Sequence, residues 1–170
     1  MVLERGITGQ FLGISDYAFY YIIYALTLLL TRGLWGRLSD KYGRKAAIIP
    51  GMLPLAVGTF LLAFTRSFPL LLLVGVVYAA GFGSAQPSLL AWTIDRAGHS
   101  EMSAAVSTFF IAFDGGLGLG ALIMGIISQY FSYRVTFMTT TLIILIGLLL
   151  YVYYLYNEGS YADLSEEDIL

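Results

Sequence analysis

The sequence lacks cysteine, has a single histidine, His99, and carries few charges. Charged residues make up 12% of the 170 positions and hydrophobic residues 58%. Without cysteine there can be no disulfide framework and no thiolate metal site, and one histidine does not form a cluster of metal ligands. No set of nucleophile, base and orienting acid, and no phosphate-binding loop, can be assembled from the residues. We therefore expect no metal, no cofactor and no enzymatic activity.

An excess of basic charge is also missing. The formal net charge is −2, which argues against a nucleic-acid partner. The negative excess comes from acidic residues near the end of the chain, namely Glu158, Asp163, Glu166, Glu167 and Asp168. We predict a short, acidic, cytoplasmic tail over residues 157–170, after a transmembrane domain over residues 1–156.

Long apolar stretches make up most of the sequence. Five runs stand out, near residues 17–34, 46–65, 69–93, 103–128 and 135–156. A bilayer core about 30 Å thick is crossed by a helix of roughly 20 apolar residues, so each run is long enough to span. The runs are continuously apolar, whereas strands of membrane barrels alternate. The sequence predicts an all-α membrane protein of about five transmembrane helices.

The basic residues predict how these helices are oriented. Six of the nine Lys and Arg residues flank one side of the runs: Arg32, Arg37, Lys41, Arg44, Lys45 and Arg96. The other side has Arg5, Arg66 and Arg134. Basic residues near span ends stay on the cytoplasmic side, so we expect a plasma-membrane protein with its amino terminus outside. Since an odd number of spans with that orientation is unusual, we also expect further sequence upstream.

The loop between the first two runs carries the most specific motif. Residues 36–45 read GRLSDKYGRK. Glycines permit a tight turn, and an acid among bases can meet a helix amino terminus or a neighbouring cation. The positive-inside rule alone would explain the bases but not the ordered glycines and acid. The loop matches G-x-L-x-D-[RK]-x-G-[RK]-[RK], the signature loop of the major facilitator superfamily, at Gly36, Leu38, Asp40, Lys41, Gly43, Arg44 and Lys45.

The sequence thus resembles that transporter family, and its flanks resemble the second half. Residues 78–87, in a run ending at Asp95 and Arg96, resemble the tenth family helix, and residues 113–120 resemble the eleventh. The resemblance covers residues 13–156, the eighth to twelfth helices of bacterial drug-exporter-like members, and implies most of one six-helix bundle. Residues 1–12 are too short and polar to supply the preceding helix.

The resemblance also implies a mechanism and partners. We expect secondary active transport of a small solute by alternating access, with proton-coupled efflux of lipophilic compounds. The partners would be the lipid bilayer, cargo, protons, and a complementary amino-terminal half or a second copy. Arg44 would pair with Asp95, and Asp40 would cap a helix of the other half, forming a conformational latch beside Arg96. The alternative is a non-transporting interaction protein or an inactive remnant of a transporter.

One carboxylate, Asp114, lies inside an apolar run. It is about eleven residues into the fourth run, near mid-membrane at 1.5 Å per residue. A central carboxylate costs roughly 2.5 to 3.5 kcal/mol on translocon scales, so it should face a cavity, a partner or a proton. Its helical stripe is small and polar and should face protein: Ser103, Ser107, Asp114, Gly118, Ala121 and Gly125. Asp114 is a candidate proton or cargo site, or else a structural carboxylate.

The third run contains further candidates. Gln86 precedes Pro87, which frees a backbone carbonyl and can kink the helix. The kink either acts as a gate or is a fixed bend packed by Gly81 and Gly83. Tyr24 and Tyr78 are candidates to line a path for aromatic cargo, or they fill helix contacts. We place Gln86, Tyr24 and Tyr78 with Asp114 as candidate cargo residues, and Pro87 with Gly118 and Gly125 as packing residues.

Overall fold

A computed structural model describes the backbone of residues 14–98 and 100–167 and the side chains of residues 16–98 and 100–157. This part of the chain contains no strand, and the all-α prediction is confirmed. The helices are α1 (Ile14–Tyr42), α2 (Lys45–Leu62), α3 (Phe68–Ala97), α4 (Met102–Tyr130) and α5 (Tyr133–Glu167). The predictions about residues 1–12 and His99 fall outside the described residues.

Each helix corresponds to one of the apolar runs, in the same order. All five are long and apolar enough to cross a membrane; the spans in α1 and α5 are Asp16–Tyr42 and Tyr133–Asn157. α2 is the shortest, with 18 residues, and at 1.5 Å per residue it is about 27 Å long. Helices satisfy their own backbone polar groups, which lipid cannot do, so this arrangement suits a bilayer.

Prolines lie inside two of the helices without ending them. α2 contains Pro50 and Pro54, and α3 contains Pro87. Membrane helices tolerate proline because neighbouring groups satisfy the freed carbonyls. α3 therefore runs unbroken through the segment that the sequence marked as a bend.

The turn between α1 and α2 is shorter than the motif suggested. α1 continues to Tyr42, so Gly36 is helical and takes no part in the turn; that part of our prediction is wrong. Gly43 has a φ of +86°, a left-handed conformation that glycine adopts without a steric penalty. One glycine is therefore enough to reverse the chain, and Arg44 follows it directly at the start of α2.

α2 and α3 make the closest contact in the bundle. Ser84 Oγ on α3 donates a buried hydrogen bond of 2.7 Å to the carbonyl oxygen of Ala47 on α2. A Cβ added to Gly81 would lie 2.8 Å from the Cα of Leu55 and 2.8 Å from the carbonyl oxygen of Gly51. Without side chains at these glycines the two backbones come close enough to pack directly, as membrane helices commonly do.

The remaining helices are arranged around this pair. α2, α3, α4 and α5 form a ring in which each helix touches two neighbours, and α1 lies against α3 and α2. Gly75 of α3 leaves room for the ring of Tyr20 on α1, and Thr141 Oγ1 of α5 donates a 3.2 Å hydrogen bond to Thr59 Oγ1 of α2. The buried hydrophobic residues of the described chain are mostly small or aliphatic, with one tyrosine, and are listed here: Ala47, Ile48, Ala56, Val74, Ala79, Ala85, Leu148 and Tyr151.

α4 and the end of α5 differ from the rest. No residue of α4 is buried, and the main contacts of this helix are with α3 and α5. α5 continues as helix to Glu167, so the acidic segment begins as an extension of the last span and not as an irregular tail. The bundle is thus well packed around α3 and loosely closed by α4.

The α2–α3 contact predicts a strong effect for one methyl group. Gly81→Ala places that methyl against the backbone of Leu55, and such overpacking costs about 1 to 3 kcal/mol. We expect the free energy of unfolding, measured by sodium dodecyl sulfate titration in mixed micelles, to fall by this amount. Gly120→Ala is the matched control, since its Cβ would have nothing within 4 Å. Equal effects of both variants would contradict the packing described.

Candidate functional site

A single guanidinium joins the ends of three helices at the signature loop. Arg44 Nε donates to Asp95 Oδ2 at 2.7 Å, and Arg44 Nη1 donates to Asp40 Oδ1 at 2.7 Å and to Ser39 Oγ at 3.0 Å. Asp40 belongs to the last turns of α1 and Asp95 to those of α3, while Arg44 precedes α2. The structure thus brings together Arg44 and Asp95, and it places Asp40 on the same cation.

These ion pairs are reachable by water. The side chains of Arg44, Asp40 and Asp95 are 28%, 73% and 52% exposed. The hydrogen bond that Arg44 donates to the Asp95 carboxylate raises the pKa of Arg44; burial lowers this pKa, and the hydrogen bond to Asp40 raises it further. Solvent-exposed pairs of this kind contribute about 0.2 to 1 kcal/mol each. The cluster can therefore form and break at low cost, and its role as a latch stays a prediction.

Arg96, next to Asp95, makes a separate contact with α5. Its Nη1 donates a 2.6 Å hydrogen bond to Tyr154 Oη, and its guanidinium lies 4.4 Å from the centre of the Trp92 ring. The Tyr154 ring lies 5.0 Å away on another side. Neither Trp92 nor Tyr154 was among the candidate site residues chosen from the sequence. The spacing of Trp92 and Arg96, four residues apart on one helix, could have indicated half of this cluster.

The other residues of the signature loop are mostly exposed. Lys41 lies 5.0 Å from the ring of Tyr42, Leu38 is half-buried on α1, and Lys45 is the exposed first residue of α2. Lys45 also lines a cavity of about 420 Å³ with Tyr42, Gly43, Arg44, Trp92, Asp95 and Arg96. The loop residues and the end of α3 thus form one site.

The polar stripe of α4 lies on an open face. Asp114 is exposed, and no hydrogen bond or ion pair joins it to another residue of the described chain. A Cβ added to Gly118 or Gly125 would have nothing within 4 Å. The stripe therefore packs against none of the described helices, and the packing role expected for these glycines would require another partner.

Gln86 lies in an apolar cavity inside the ring of helices. The cavity has a volume of about 340 Å³ and lies between α2, α3 and α4. It is lined by Met52, Leu55, Phe82, Ala85, Gln86, Leu89, Phe109, Ala112 and Phe113. Gln86 supplies the polar group of this lining, and Pro87 follows it in the uninterrupted helix.

Tyr24 and Tyr78 belong to a row of aromatic rings between α1 and α3. The ring centre of Tyr24 is 6.3 Å from that of Tyr20 and 6.3 Å from that of Tyr78. Tyr78 stacks on Phe82 at 6.3 Å with an interplanar angle of 8°. Because Phe82 also lines the cavity with Gln86, the structure connects these three candidates, whereas Asp114 lies apart from them on α4.

The chain also matches the profile of a known protein family. The profile of the Major Facilitator Superfamily matches residues 2–168. The chain belongs to the major facilitator superfamily. Several curated transporters are similar to parts of this major facilitator chain, and each match covers only a portion of the relative.

Three of these relatives are named for different compounds. The 3-(3-hydroxy-phenyl)propionate transporter of Escherichia coli is 31% identical over 51% of this chain and 21% of its own length. The gentisate transporter of Corynebacterium glutamicum is 30% identical over 66% of this chain and 26% of its own length. The quinolone resistance protein NorA of Staphylococcus aureus is 28% identical over 73% and 37%. The chain spans between about a fifth and two fifths of the length of these relatives.

The Arg44 cluster predicts a small but measurable coupling energy. In a double-mutant cycle with Arg44→Gln and Asp95→Asn, we expect a coupling of about 0.2 to 1 kcal/mol in the free energy of unfolding, because both groups are part-exposed. The measurement is detergent unfolding at low and high salt, and the coupling should shrink as salt screens it. The same cycle between Arg37→Gln and Asp95→Asn should give a coupling near zero; an equal value there would contradict the specific pair.

Proposed function

We propose that this chain is the carboxy-terminal part of a secondary transporter that moves a small solute across the plasma membrane by alternating access. The observation that carries the proposal is the signature loop, folded so that Arg44 bonds Asp40 and Asp95 at the ends of α1 and α3. Such half-exposed pairs can open and close while the helices themselves stay intact. A latch of this kind biases the equilibrium between two conformations by an amount comparable with its own bonds.

The exposed stripe of α4 supports a partner. An uncovered carboxylate and several small residues would otherwise meet lipid, and a central Asp costs roughly 2.5 to 3.5 kcal/mol there. A complementary amino-terminal half, or else a second copy, would cover Asp114, Gly118 and Gly125. The same position would let Asp114 face a water-filled path between two bundles, where transporters carry their coupling ions near mid-membrane.

Aromatic compounds are the cargo class that we infer. The aromatic row ending at Phe82 and the cavity beside Gln86 offer flat apolar surfaces with one amide. Pockets of roughly 300 Å³ or more, mostly apolar with a few polar groups, are typical of small-molecule sites. A relative named for a phenyl-containing acid and another named for quinolone resistance are consistent with this class. We propose that the cargo is exported and that a proton gradient drives its export.

Transport tests the proposal directly. Inside-out vesicles from cells that produce the chain should accumulate ethidium, an aromatic cation, when respiration acidifies their interior, and an uncoupler should abolish the accumulation. Asp114→Asn should lower the proton-driven rate at least tenfold, because the amide cannot exchange a proton. Asp114→Glu is the matched control, since it keeps a carboxyl group, and should retain most of the rate.

Two results of this transport assay would contradict different parts of the proposal. Accumulation that persists unchanged in Asp114→Asn would remove Asp114 as the proton carrier while leaving transport in place. No accumulation by the unmodified chain, with normal insertion and yield, would overturn transport by copies of this chain alone.

The orientation gives a second prediction. Because the chain has no cysteine, single cysteines can be placed without background. Arg37→Cys, on the signature loop, should be protected from an impermeant maleimide in intact cells and labelled in inside-out vesicles, since basic loops stay cytoplasmic. Ser67→Cys, an exposed position before α3, is the matched control and should show the opposite pattern. Labelling of Arg37→Cys from outside would reverse the orientation.

A further inference from the structure

The amide of Gln86 lies unpaired in the apolar cavity between α2, α3 and α4. The cavity has a volume of about 340 Å³, and of the nine described residues that line it none is charged. The side chain of Gln86 forms no hydrogen bond with any other residue that the structure describes. A half-buried amide has given up part of its hydration, and no group of this lining replaces it. Gln86 is therefore able to bind a polar group that a ligand brings.

Phenylalanine rings from two helices line the same cavity. Phe82 belongs to α3, and Phe109 and Phe113 belong to α4. The rings of Phe109 and Phe113 are nearly parallel, with centres 5.9 Å apart and an interplanar angle of 11°. Such rings attract other aromatic rings through offset stacking and edge contacts. Since the volume is near the lower limit of roughly 300 to 1,000 Å³ for small-molecule sites, the cavity suits a compact aromatic compound.

The chemistry of an amide determines which polar group fits beside these rings. The side chain of Gln86 offers one carbonyl oxygen as an acceptor and an NH2 group with two donors. A hydroxyl or a carboxamide both donates and accepts, so it can bond to either end of this amide. A carboxylate only accepts, and it brings a negative charge into the cavity.

The described lining has no cation that would compensate such a charge. Arg96, near the end of α3, follows Gln86 by ten positions, which is about 15 Å along the helix. Lys45, at the start of α2, precedes Met52 of the lining by seven positions, or about 10 Å. An ion that leaves water without a counter-charge is strongly disfavoured. The cavity is therefore unsuited to a carboxylate.

We propose that Gln86 determines which cargo this cavity accepts: a flat aromatic compound with an uncharged hydroxyl or amide group, and not the corresponding carboxylate. Phe82, Phe109 and Phe113 contact the aromatic part, and Gln86 exchanges hydrogen bonds with the polar group. This selectivity differs from that of the relatives, two of which are named for carboxylates. The statement that the bound compound is cargo rests on the proposed function, whereas binding itself does not.

Two compounds of nearly the same shape test the charge preference. 2-Naphthamide is uncharged, and 2-naphthoate is an anion at neutral pH. The full chain is placed in nanodiscs, and bound radiolabelled 2-naphthamide is measured by equilibrium dialysis, with empty nanodiscs as the correction for partition into lipid. We expect 2-naphthoate to compete at least tenfold less well than unlabelled 2-naphthamide. Equal competition by the two compounds would overturn the proposal.

Gln86→Leu isolates the hydrogen bond, because leucine is of similar size and has no amide. It should weaken the binding of 2-naphthamide about tenfold and leave that of 2-methylnaphthalene, which has no polar group, within about twofold. Gln129→Leu is the matched control and should change neither, since Gln129 is exposed on α4 and does not line the cavity. Equal losses for both compounds in Gln86→Leu, or no loss for either, would overturn the role of Gln86.

Gln86→Arg tests the same argument as a gain of function. Arginine keeps its charge in proteins and pairs with carboxylates through two donors. This variant should therefore bind 2-naphthoate more tightly than 2-naphthamide, which reverses the preference of the unmodified chain. Failure of a normally inserted Gln86→Arg chain to gain affinity for 2-naphthoate would contradict the explanation by charge.

A second pair of variants locates the bound compound. Ala112→Phe fills the cavity from α4 and should abolish the binding of 2-naphthamide. Ala121→Phe adds the same bulk at an exposed position of α4 outside the lining, and it should retain binding within about twofold. Equal binding by the two variants would place the compound elsewhere and overturn the site.

These binding measurements use no ion gradient, so they separate this inference from transport. Selective binding of 2-naphthamide without accumulation of ethidium in vesicles would support the site and overturn transport by copies of the chain alone. Accumulation of ethidium together with unchanged binding in Gln86→Leu would overturn the role of Gln86 and leave transport in place.

Discussion

The direct contact between α2 and α3 is the constraint on which the other positions depend. Between helices in lipid there is no hydrophobic driving force, so association relies on close packing and interhelical hydrogen bonds. Gly81 admits the backbone of Leu55, and Ser84 bonds Ala47 across the interface. α1 and α5 are then held by α3 and α2, respectively, through contacts such as Tyr20 on Gly75 and Thr141 on Thr59.

This packing also sets the chemistry at the helix ends. With α2 and α3 fixed side by side, the residue that opens α2 lies opposite the last turn of α3, so Arg44 reaches Asp95 across 51 positions of sequence. Asp40 arrives on the same guanidinium because Gly43 reverses the chain within one residue. The neighbouring Arg96 is turned toward α5, where Trp92 and Tyr154 enclose it. The adjacent residues Asp95 and Arg96 thus connect α3 to different helices: Asp95 to the start of α2 and Arg96 to α5.

The sequence was sufficient to predict the helices but not all of their limits and contacts. Apolar runs of sufficient length indicate spans whatever their packing, which is why all five were found. The end of α1 was misjudged because a glycine in a loop motif, Gly36, signals a turn locally, whereas the helix continues to Tyr42. The exposed position of Asp114 and its stripe cannot be judged from one helix, since it depends on which neighbours surround α4.

Contacts between residues that are distant in sequence were also not predictable from local patterns. The pairing of Arg44 with Asp95 came from resemblance to a family, not from any local pattern. The Arg96 cluster had no such guide, because Tyr154 lies 58 positions away and only tertiary packing places it there. Likewise, the cavity beside Gln86 takes its walls from three helices, so neither its volume nor its aromatic lining could be inferred from the third run alone.

α4 bears no buried residue, which has a bearing on how cells would handle this polypeptide. During synthesis, α1, α2 and α3 can pack against one another early, whereas α4 would stay largely unpacked until a partner binds it. A polar flank that faces lipid is costly, so a partner that covers it stabilises the folded chain. The lifetime of the chain would then be governed by the supply of whatever covers that flank.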